Sequence, residues 1–288
     1  MPGYENAARL LPGDLRAAAL ALPPADRREA REFRLRIGQT PAVTFAQGEK
    51  ALLPGRRVTA ADLFRVTEIA AEASPYAAAE GVRQGYIAAA GGVRVGLCGR
   101  MRSGGEGALT AGGLTSAAIR IPREVKGCGE PFCSLPFAST LILSPPGAGK
   151  TTLLRDMVRR LSVLGLRVGL CDERGEISAP GRDGFGFDLG PETDVLTECP
   201  KDAAALQLLR TMNPQVIAMD EITAGRDAEA CCSVAGCGTV LLATAHGESV
   251  REFRRGKLCA RLSEEGVFHR IICIRLTGSD RTYTEELL

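Results

Sequence analysis

Residues 144–152 read Ser144-Pro145-Pro146-Gly147-Ala148-Gly149-Lys150-Thr151-Thr152. An apolar run, Thr140 to Leu143, precedes them, and a segment with apolar residues at helical spacing, Thr151 to Leu164, follows. A strand, a glycine-rich turn and a helix in this order direct backbone N–H groups and the positive end of the helix dipole toward one anion. The stretch therefore predicts a phosphate-binding loop.

Individual residues of this loop have expected roles toward ATP. Lys150 is expected to reach the β- and γ-phosphates, and the Thr151 hydroxyl to ligate Mg²⁺. The predicted nucleotide-binding residues are Pro146, Gly147, Ala148, Gly149, Lys150, Thr151 and Thr152. The usual pattern, G-x-x-x-x-G-K-[ST], has glycine where this chain has Ser144. Because serine lacks glycine's conformational freedom, a loss of nucleotide affinity would originate at Ser144.

A second apolar run ends in two adjacent carboxylates. Val216 to Met219 is followed directly by Asp220 and Glu221. Neighbouring residues of a strand point to opposite sides, so one carboxylate can hold the water shell of Mg²⁺ while the other faces the γ-phosphate. We therefore predict that Asp220 binds the metal and that Glu221 polarises the attacking water. The alternative is a solvated strand end without a ligand.

Two further apolar runs end in polar residues. Asp172 and Glu173 follow one run, and Thr244 and His246 end another. A threonine and a histidine at a strand terminus suit a sensor of the γ-phosphate, and the alternative for His246 is a surface histidine. Glu173 is the predicted substitute for Glu221 as the activating carboxylate. The predicted catalytic residues are thus Lys150, Glu221, His246 and Glu173.

The two halves of the chain have different patterns. In the second half, nearly continuous apolar strands alternate with helices, which predicts a mostly parallel sheet covered by helices on both faces. Ligands of such sheets bind beyond the carboxyl ends of the strands, where the polar residues above are placed. The first half predicts helices at 10–22 and 59–73, a hairpin that turns at Gly91-Gly92, and a flexible glycine-rich connection from Arg102 to Leu114. We therefore predict a smaller α+β domain at 1–121 and an α/β domain at 122–288.

Composition narrows the class of protein. Hydrophobic residues make up 45% of the 288 residues, charged residues 24% and aromatic residues 5%, which is typical of a globular protein. No signal peptide is recognisable, and no apolar run approaches the roughly 20 residues that span a bilayer. Several of the ten cysteines lie within apolar runs and resemble buried thiols of a reducing compartment. These features predict a cytoplasmic protein.

Several motifs together resemble the secretion and pilus-assembly ATPases. They are LSPPGAGKTT, CDERGEI, NPQVIAMDEI and LLATAHG. The resemblance implies a RecA-like P-loop NTPase core with an acidic box at Asp172 and Glu173 and a His box at Thr244 and His246. In the first half, RLRIGQTP, SPYAAAEGVRQGYI, GGVRVGLCGR and IRIPREVKGCGEP resemble a sporulation family of endospore-forming bacteria. The likeness extends from about Leu10 to the C-terminus and covers nearly the whole chain.

The resemblance also implies partners. It implies a hexameric motor, driven by ATP and Mg²⁺, on the mother-cell side of the membranes around the forespore. Such a motor would lie peripherally at the membrane and act on membrane proteins of a secretion-like channel. In the family, arginines of the N-terminal domain approach the nucleotide at the interface between subunits, and Arg94 and Arg100 are the candidates in this chain.

Two other functions stay open from the sequence. A RecA-like motor acting on nucleic acid is one, although the net charge of +2 and the few aromatic residues give little sign of a basic groove with stacking platforms. A scaffold that binds ATP and assembles without hydrolysis is the other, and the presence of Glu221 counts against it. Stimulation of hydrolysis by single-stranded nucleic acid would favour the first alternative.

Overall fold

The computed structural model describes residues 2–72, 74–102, 108–181, 184–223, 225–247, 249–255, 262, 265–277 and 280–288. The chain forms two units. The first contains residues 1–124 and 179–187, and the second contains residues 125–178 and 188–288. No helix within the described ranges is both long and apolar enough to cross a membrane.

The helices of the first unit begin and end at prolines and caps. They are α1 (Pro2–Arg9), α2 (Gly13–Ala21), α3 (Pro24–Glu29), α4 (Ala60–Ala70) and α5 (Pro75–Gln84). The helix predicted at 10–22 is too long, because Pro12 occupies the position before the first turn of α2. Thr59 caps α4 as a capping box: its hydroxyl accepts from the Asp62 backbone N–H at 3.3 Å, and the Asp62 carboxylate accepts from the Thr59 N–H at 2.7 Å.

The first unit contains an antiparallel sheet of order β3-β2-β1-β6-β5-β4. Its strands are β1 (Glu32–Arg36), β2 (Ala42–Phe45), β3 (Gly48–Ala51), β4 (Tyr86–Ala89), β5 (Val93–Arg102) and β6 (Ala108–Arg120). The predicted hairpin at Gly91-Gly92 is present between β4 and β5. Residues 179–187 join this unit through the short strands β9 (Pro180–Gly181) and β10 (Gly184–Phe185), an insertion that the predicted limits of 1–121 and 122–288 do not include.

The glycine-rich connection predicted from Arg102 to Leu114 is wrong. β5 extends to Arg102 and β6 begins at Ala108, and residues 103–107 lie outside the described part of the chain. A Cβ atom on Gly99 would lie 2.3 Å from the carbonyl oxygen of Gly113. Glycine at position 99 of β5 therefore permits the close approach of two bulged strands, whereas the sequence alone suggested a loop after Arg102.

The second unit is built on a sheet of order β11-β8-β12-β13-β7-β14-β15, parallel except for the antiparallel edge strand β15. Its strands are β7 (Thr140–Ser144), β8 (Val168–Asp172), β11 (Thr193–Thr197), β12 (Val216–Met219), β13 (Val240–His246), β14 (Arg270–Thr277) and β15 (Asp280–Leu287). Its helices are α6 (Lys150–Val163), α7 (Lys201–Met212), α8 (Gly225–Gly236) and α9 (Val250–Arg255).

Alternate residues of the central strands enter two separate cores. Leu141 and Leu143 pack with residues of α7 and α8, whereas Ile142 packs with residues of α6 on the opposite face of the sheet. The same alternation places Ile217 in the first core and Ala218 in the second. The predicted class is confirmed: an α/β unit with a mostly parallel sheet covered on both faces, preceded by a smaller α+β region.

Candidate active site

The loop after β7 adopts the conformation that its glycines allow. Gly147 has φ +75° and Gly149 has φ +105°, in the left-handed region that side chains disfavour. Gly149 is also the residue before the first turn of α6, which begins at Lys150. Ala148, between the two glycines, is fully buried and anchors the loop. The loop thus places Lys150 and Thr151 at the N-terminus of a 14-residue helix, where a phosphate is favoured.

Ser144 does not need the freedom of glycine. It is the last residue of β7, is fully buried, and pairs in register with His246 of the neighbouring strand. Its hydroxyl donates to the carbonyl oxygen of Pro145 at 2.9 Å. The left-handed positions of this loop are Gly147 and Gly149, not Ser144. The backbone at Ser144 therefore gives no conformational reason to expect weaker nucleotide binding.

Thr151 and Asp220, the predicted metal ligands, lie together. The Thr151 hydroxyl donates to Asp220 Oδ2 at 2.8 Å. Hydroxyl and carboxylate oxygens are the hard donors that Mg²⁺ prefers, and Mg²⁺ takes one or two protein ligands and completes its shell with water and phosphate. Within the described ranges there is no group of three or more His, Cys, Asp or Glu residues of the kind that encloses a metal. This pair therefore fits Mg²⁺ that is shared with a phosphate.

Thr244 links the two carboxylates of the β12 end. Its hydroxyl donates to Asp220 Oδ1 at 2.5 Å and accepts from the Glu221 backbone N–H at 2.7 Å. The Thr244 carbonyl oxygen accepts from the Ile222 N–H at 2.8 Å. Thr244 is fully buried, and through these bonds it holds the turn that carries Asp220 and Glu221. Its role as a sensor of the γ-phosphate stays a prediction.

Glu221 is oriented by a turn. β12 ends at Met219, and Glu221 has φ +52°, so the predicted alternation along a strand does not separate the two carboxylates. This left-handed backbone costs on the order of 1–3 kcal/mol and must be stabilised by its surroundings. The hydrogen bonds of Thr244 supply part of that stabilisation.

Lys201 supplies another part, which no motif of the sequence predicts. Its ammonium group donates to the Glu221 carbonyl oxygen at 2.6 Å and lies 3.6 Å from Asp227 Oδ2 and 3.9 Å from Glu173 Oε2. Its side chain is only 12% exposed. Asp227 in turn accepts from the Thr223 N–H at 2.8 Å. A mostly buried cation thus ties together the chain segments that follow β8 and β12.

The Glu221 carboxylate contacts two basic side chains. Oε1 makes a short hydrogen bond with His246 Nε2, and Oε2 lies 3.3 Å from Arg174 Nη1. Partial burial by itself would raise the pKa of Glu221, but the hydrogen bond with His246 and the charge of Lys150 outweigh it and hold that pKa below its usual value. Glu221 is therefore ionised at neutral pH. The predicted catalytic residues Lys150 and His246 lie close enough to Glu221 to lower its pKa.

The two acidic residues after β8 have separate positions. Asp172 is buried and accepts from the Ser178 N–H at 2.7 Å and the Ser178 hydroxyl at 2.6 Å, so it fastens the following turn. Arg155 of α6 fastens the same turn by donating to the carbonyl oxygens of Glu176 and Ile177. Glu173 is exposed and faces Lys201 at 3.9 Å. The acidic box therefore contains one residue that shapes the turn and one that faces a lysine.

Arg281 is a second basic residue beside the loop that sequence analysis missed. Its Nε donates to the Ala148 carbonyl oxygen at 2.8 Å, across 133 positions of sequence. A Cβ on Gly149 would lie 3.0 Å from Arg281 Nε. Arg94 and Arg100, the predicted trans arginines, are exposed on β5 of the first unit, where the Arg94 guanidinium stacks on the Tyr86 ring at 4.1 Å.

The matching family model covers residues 4–283 and is described as sporulation stage III, protein AA. The chain belongs to this family. Stage III sporulation protein AA of Bacillus subtilis (strain 168) is 32% identical to it over 276 residues, which are 92% of this chain and 89% of that protein. Membership of the sporulation stage III, protein AA family confirms the likeness seen in the first half of the sequence.

Two solved structures are similar in fold to this member of the sporulation stage III, protein AA family. The Legionella pneumophila ATPase DotB has a TM-score of 0.58 and 16% identity, over 92% of this chain and 78% of that one. The pilus retraction motor PilT with bound ADP has a TM-score of 0.60 and 17% identity, over 92% of this chain and 80% of that one. The predicted resemblance to secretion and pilus-assembly ATPases is confirmed for the fold.

Proposed function

We propose that this chain binds MgATP at the loop after β7 and hydrolyses it. The observation that supports the proposal is a continuous series of hydrogen bonds from Thr151 through Asp220 and Thr244 to Glu221 and His246. This series connects the first turn of α6 to the ends of β12 and β13. A metal, a carboxylate and a histidine would therefore lie beside the phosphates of one nucleotide. P-loop ATPases use these parts for phosphoryl transfer to water.

Each side chain has a role in this proposal. Lys150 and the backbone N–H groups of 147–152 hold the β- and γ-phosphates. Thr151 and Asp220 would hold Mg²⁺, which supplies charge neutralisation at the phosphates when bound. Glu221 is ionised, and carboxylate oxygens accept several hydrogen bonds, so it can orient the attacking water while it keeps its contacts with His246 and Arg174. His246 fixes the direction of that carboxylate.

The loss of nucleotide binding in Lys150→Ala is the first test. We expect MgATP affinity to fall below detection, because the phosphates lose the lysine of the loop, while Lys50→Ala, on the exposed strand β3, leaves binding unchanged. Calorimetric titration of both variants measures this. Normal affinity in Lys150→Ala would refute the assignment of the loop.

Phosphate release by the wild type distinguishes an ATPase from a scaffold that binds nucleotide without hydrolysing it. If single-stranded DNA and RNA do not change the rate of phosphate release, that result argues against a nucleic-acid motor.

We further propose that hydrolysis powers a secretion-like channel during sporulation. Membership of a sporulation family and the fold shared with the ATPase DotB and the motor PilT support this. The protein would act in the mother-cell cytoplasm, peripherally at the membrane, as a homo-oligomer that is expected to be a hexamer. Its partners would be membrane proteins of the channel.

The trans arginines test the oligomer. We propose that Arg94 or Arg100 acts on the nucleotide of a neighbouring subunit, as an arginine finger does. Turnover per subunit should then rise with protein concentration, and Arg94→Ala or Arg100→Ala should lower turnover but preserve MgATP binding. Mixing either variant with Lys150→Ala protein should restore part of the activity. Concentration-independent turnover, with both variants fully active, would place the complete site within one chain.

A further inference from the structure

The antiparallel edge strand brings Arg281 to the functional edge of the second sheet. β14 is parallel to β7, with Cys273 opposite Leu143, and continues past the end of β7 to Thr277. β15 returns antiparallel to it, so Arg281 pairs with Leu276, beyond the carboxyl end of β7. The first residues of the last strand therefore lie at the level of the phosphate-binding loop.

Arg281 lies directly on that loop. Its Nε donates to the Ala148 carbonyl oxygen at 2.8 Å, and its Cδ and Cζ lie 3.7 and 3.8 Å from the position of a Cβ on Gly149. Gly149 is therefore glycine for two reasons: its φ of +105° and the arginine that covers it. Lys150, the residue that would hold the phosphates, comes next in the chain.

The bond to Ala148 uses only one of the five N–H donors of the guanidinium. The residue is exposed, and no hydrogen bond or ion pair within the described ranges uses its terminal Nη groups. Among the described residues, no carboxylate lies within ion-pair distance of this guanidinium. A planar cation with several donors in fixed geometry suits the oxygens of a polyphosphate.

We propose that Arg281 is a nucleotide-binding residue supplied by the same chain. It holds the Ala148 carbonyl through Nε and presents its Nη groups to the phosphates of a bound nucleoside polyphosphate. The proposal rests on the ATPase function proposed above and adds a cation that comes from the last strand. A charge-assisted hydrogen bond of this kind changes affinity by about tenfold or more when it is removed.

Two substitutions separate the phosphate contact from the support of the loop. Arg281→Gln keeps an N–H donor for the Ala148 carbonyl but removes the charge, and Arg281→Lys keeps the charge but loses the planar fork. The control is Arg275→Gln, an exposed arginine on the adjacent strand β14. MgADP affinity is measured by calorimetry at two salt concentrations, and the melting temperature of the nucleotide-free protein is measured in parallel.

We expect Arg281→Gln to bind MgADP about tenfold more weakly, with a shallower dependence on salt, and Arg281→Lys to lie between it and the wild type. Arg275→Gln should bind normally, and the melting temperatures of the nucleotide-free proteins should agree. Wild-type affinity in Arg281→Gln, or equal loss in Arg275→Gln, would overturn the assignment of Arg281 alone. A wild-type protein that fails to bind MgADP would overturn the proposed function together with it.

Discussion

In the antiparallel sheet of the first unit, β1 and the described parts of β5 and β6 each have one buried face and one open face. Phe33, Ile119 and Val95 lie opposite one another on β1, β6 and β5, and all are fully buried. The neighbouring row, which contains Glu32, Arg120 and Arg94, lies on the open face. Charged side chains are thus distributed along the length of these strands.

The parallel sheet of the second unit has no open face in its central strands. Every residue of β7, β8 and β12 is buried, and alternate side chains enter different cores. Most of the polar groups of the candidate site therefore appear where the strands end, as Asp220 and His246 do. A sheet that is buried on both faces can place polar side chains only where its strands end. A sheet with one open face can carry charged side chains along the whole length of its strands.

A carboxylate placed in each sheet tests this difference most strongly. Ala218 is fully buried in β12, and Ala118 lies on the open face of β6 opposite Arg34. We expect Ala218→Glu to cost more than about 4 kcal/mol and to prevent stable folding, and Ala118→Glu to change stability by less than about 0.5 kcal/mol. Denaturant unfolding of both variants measures the two free energies. Similar values for the two would show that the faces are equally accessible.

The next largest effect is expected at a strand-end carboxylate. Glu221→Gln should retain MgATP binding but lose hydrolysis by about two orders of magnitude, because an amide cannot polarise water as a carboxylate does. Glu49→Gln is the matched change on the open sheet, where Glu49 pairs with Arg36 at 2.8 Å, and it should leave turnover unchanged. Steady-state phosphate release reports both. Near-normal turnover in Glu221→Gln would move the activating role elsewhere, first to Glu173.

A smaller effect is expected in the pH dependence. Glu221 must be ionised to act, and its depressed pKa keeps it so at neutral pH and below. His246→Ala removes a hydrogen bond that lowers this pKa, so the pKa should rise and the acidic limb of the kcat profile should move to higher pH. The pKa of Glu49 is also held low, by its hydrogen bond with Arg36, yet Arg36→Ala should leave the limb in place. If the acidic limb of the kcat profile does not move in His246→Ala, His246 does not set the pKa of the catalytic carboxylate.

The sequence was sufficient where local order decides the structure. The loop at 144–152 and the acidic end at Asp220 and Glu221 are recognisable because strand, turn and helix follow one another along the chain. The bonds of Thr244 with Asp220 and Glu221 could not be predicted from the sequence, because its partners are set by the register between β12 and β13. Lys201 and Arg281 were missed for the same reason: each acts on a backbone carbonyl far away in sequence, and no spacing records such a contact.

The bond between Arg281 and Ala148 also has a consequence for biosynthesis. The loop is synthesised before β14 and β15, so β7 gains its second neighbour only when β14 has been made, and Ala148 is fastened only when β15 has followed. A nascent chain that stops before these strands would carry the complete loop sequence without the contacts that shape it. The full affinity for phosphate would therefore be acquired only after β14 and β15 have joined the sheet.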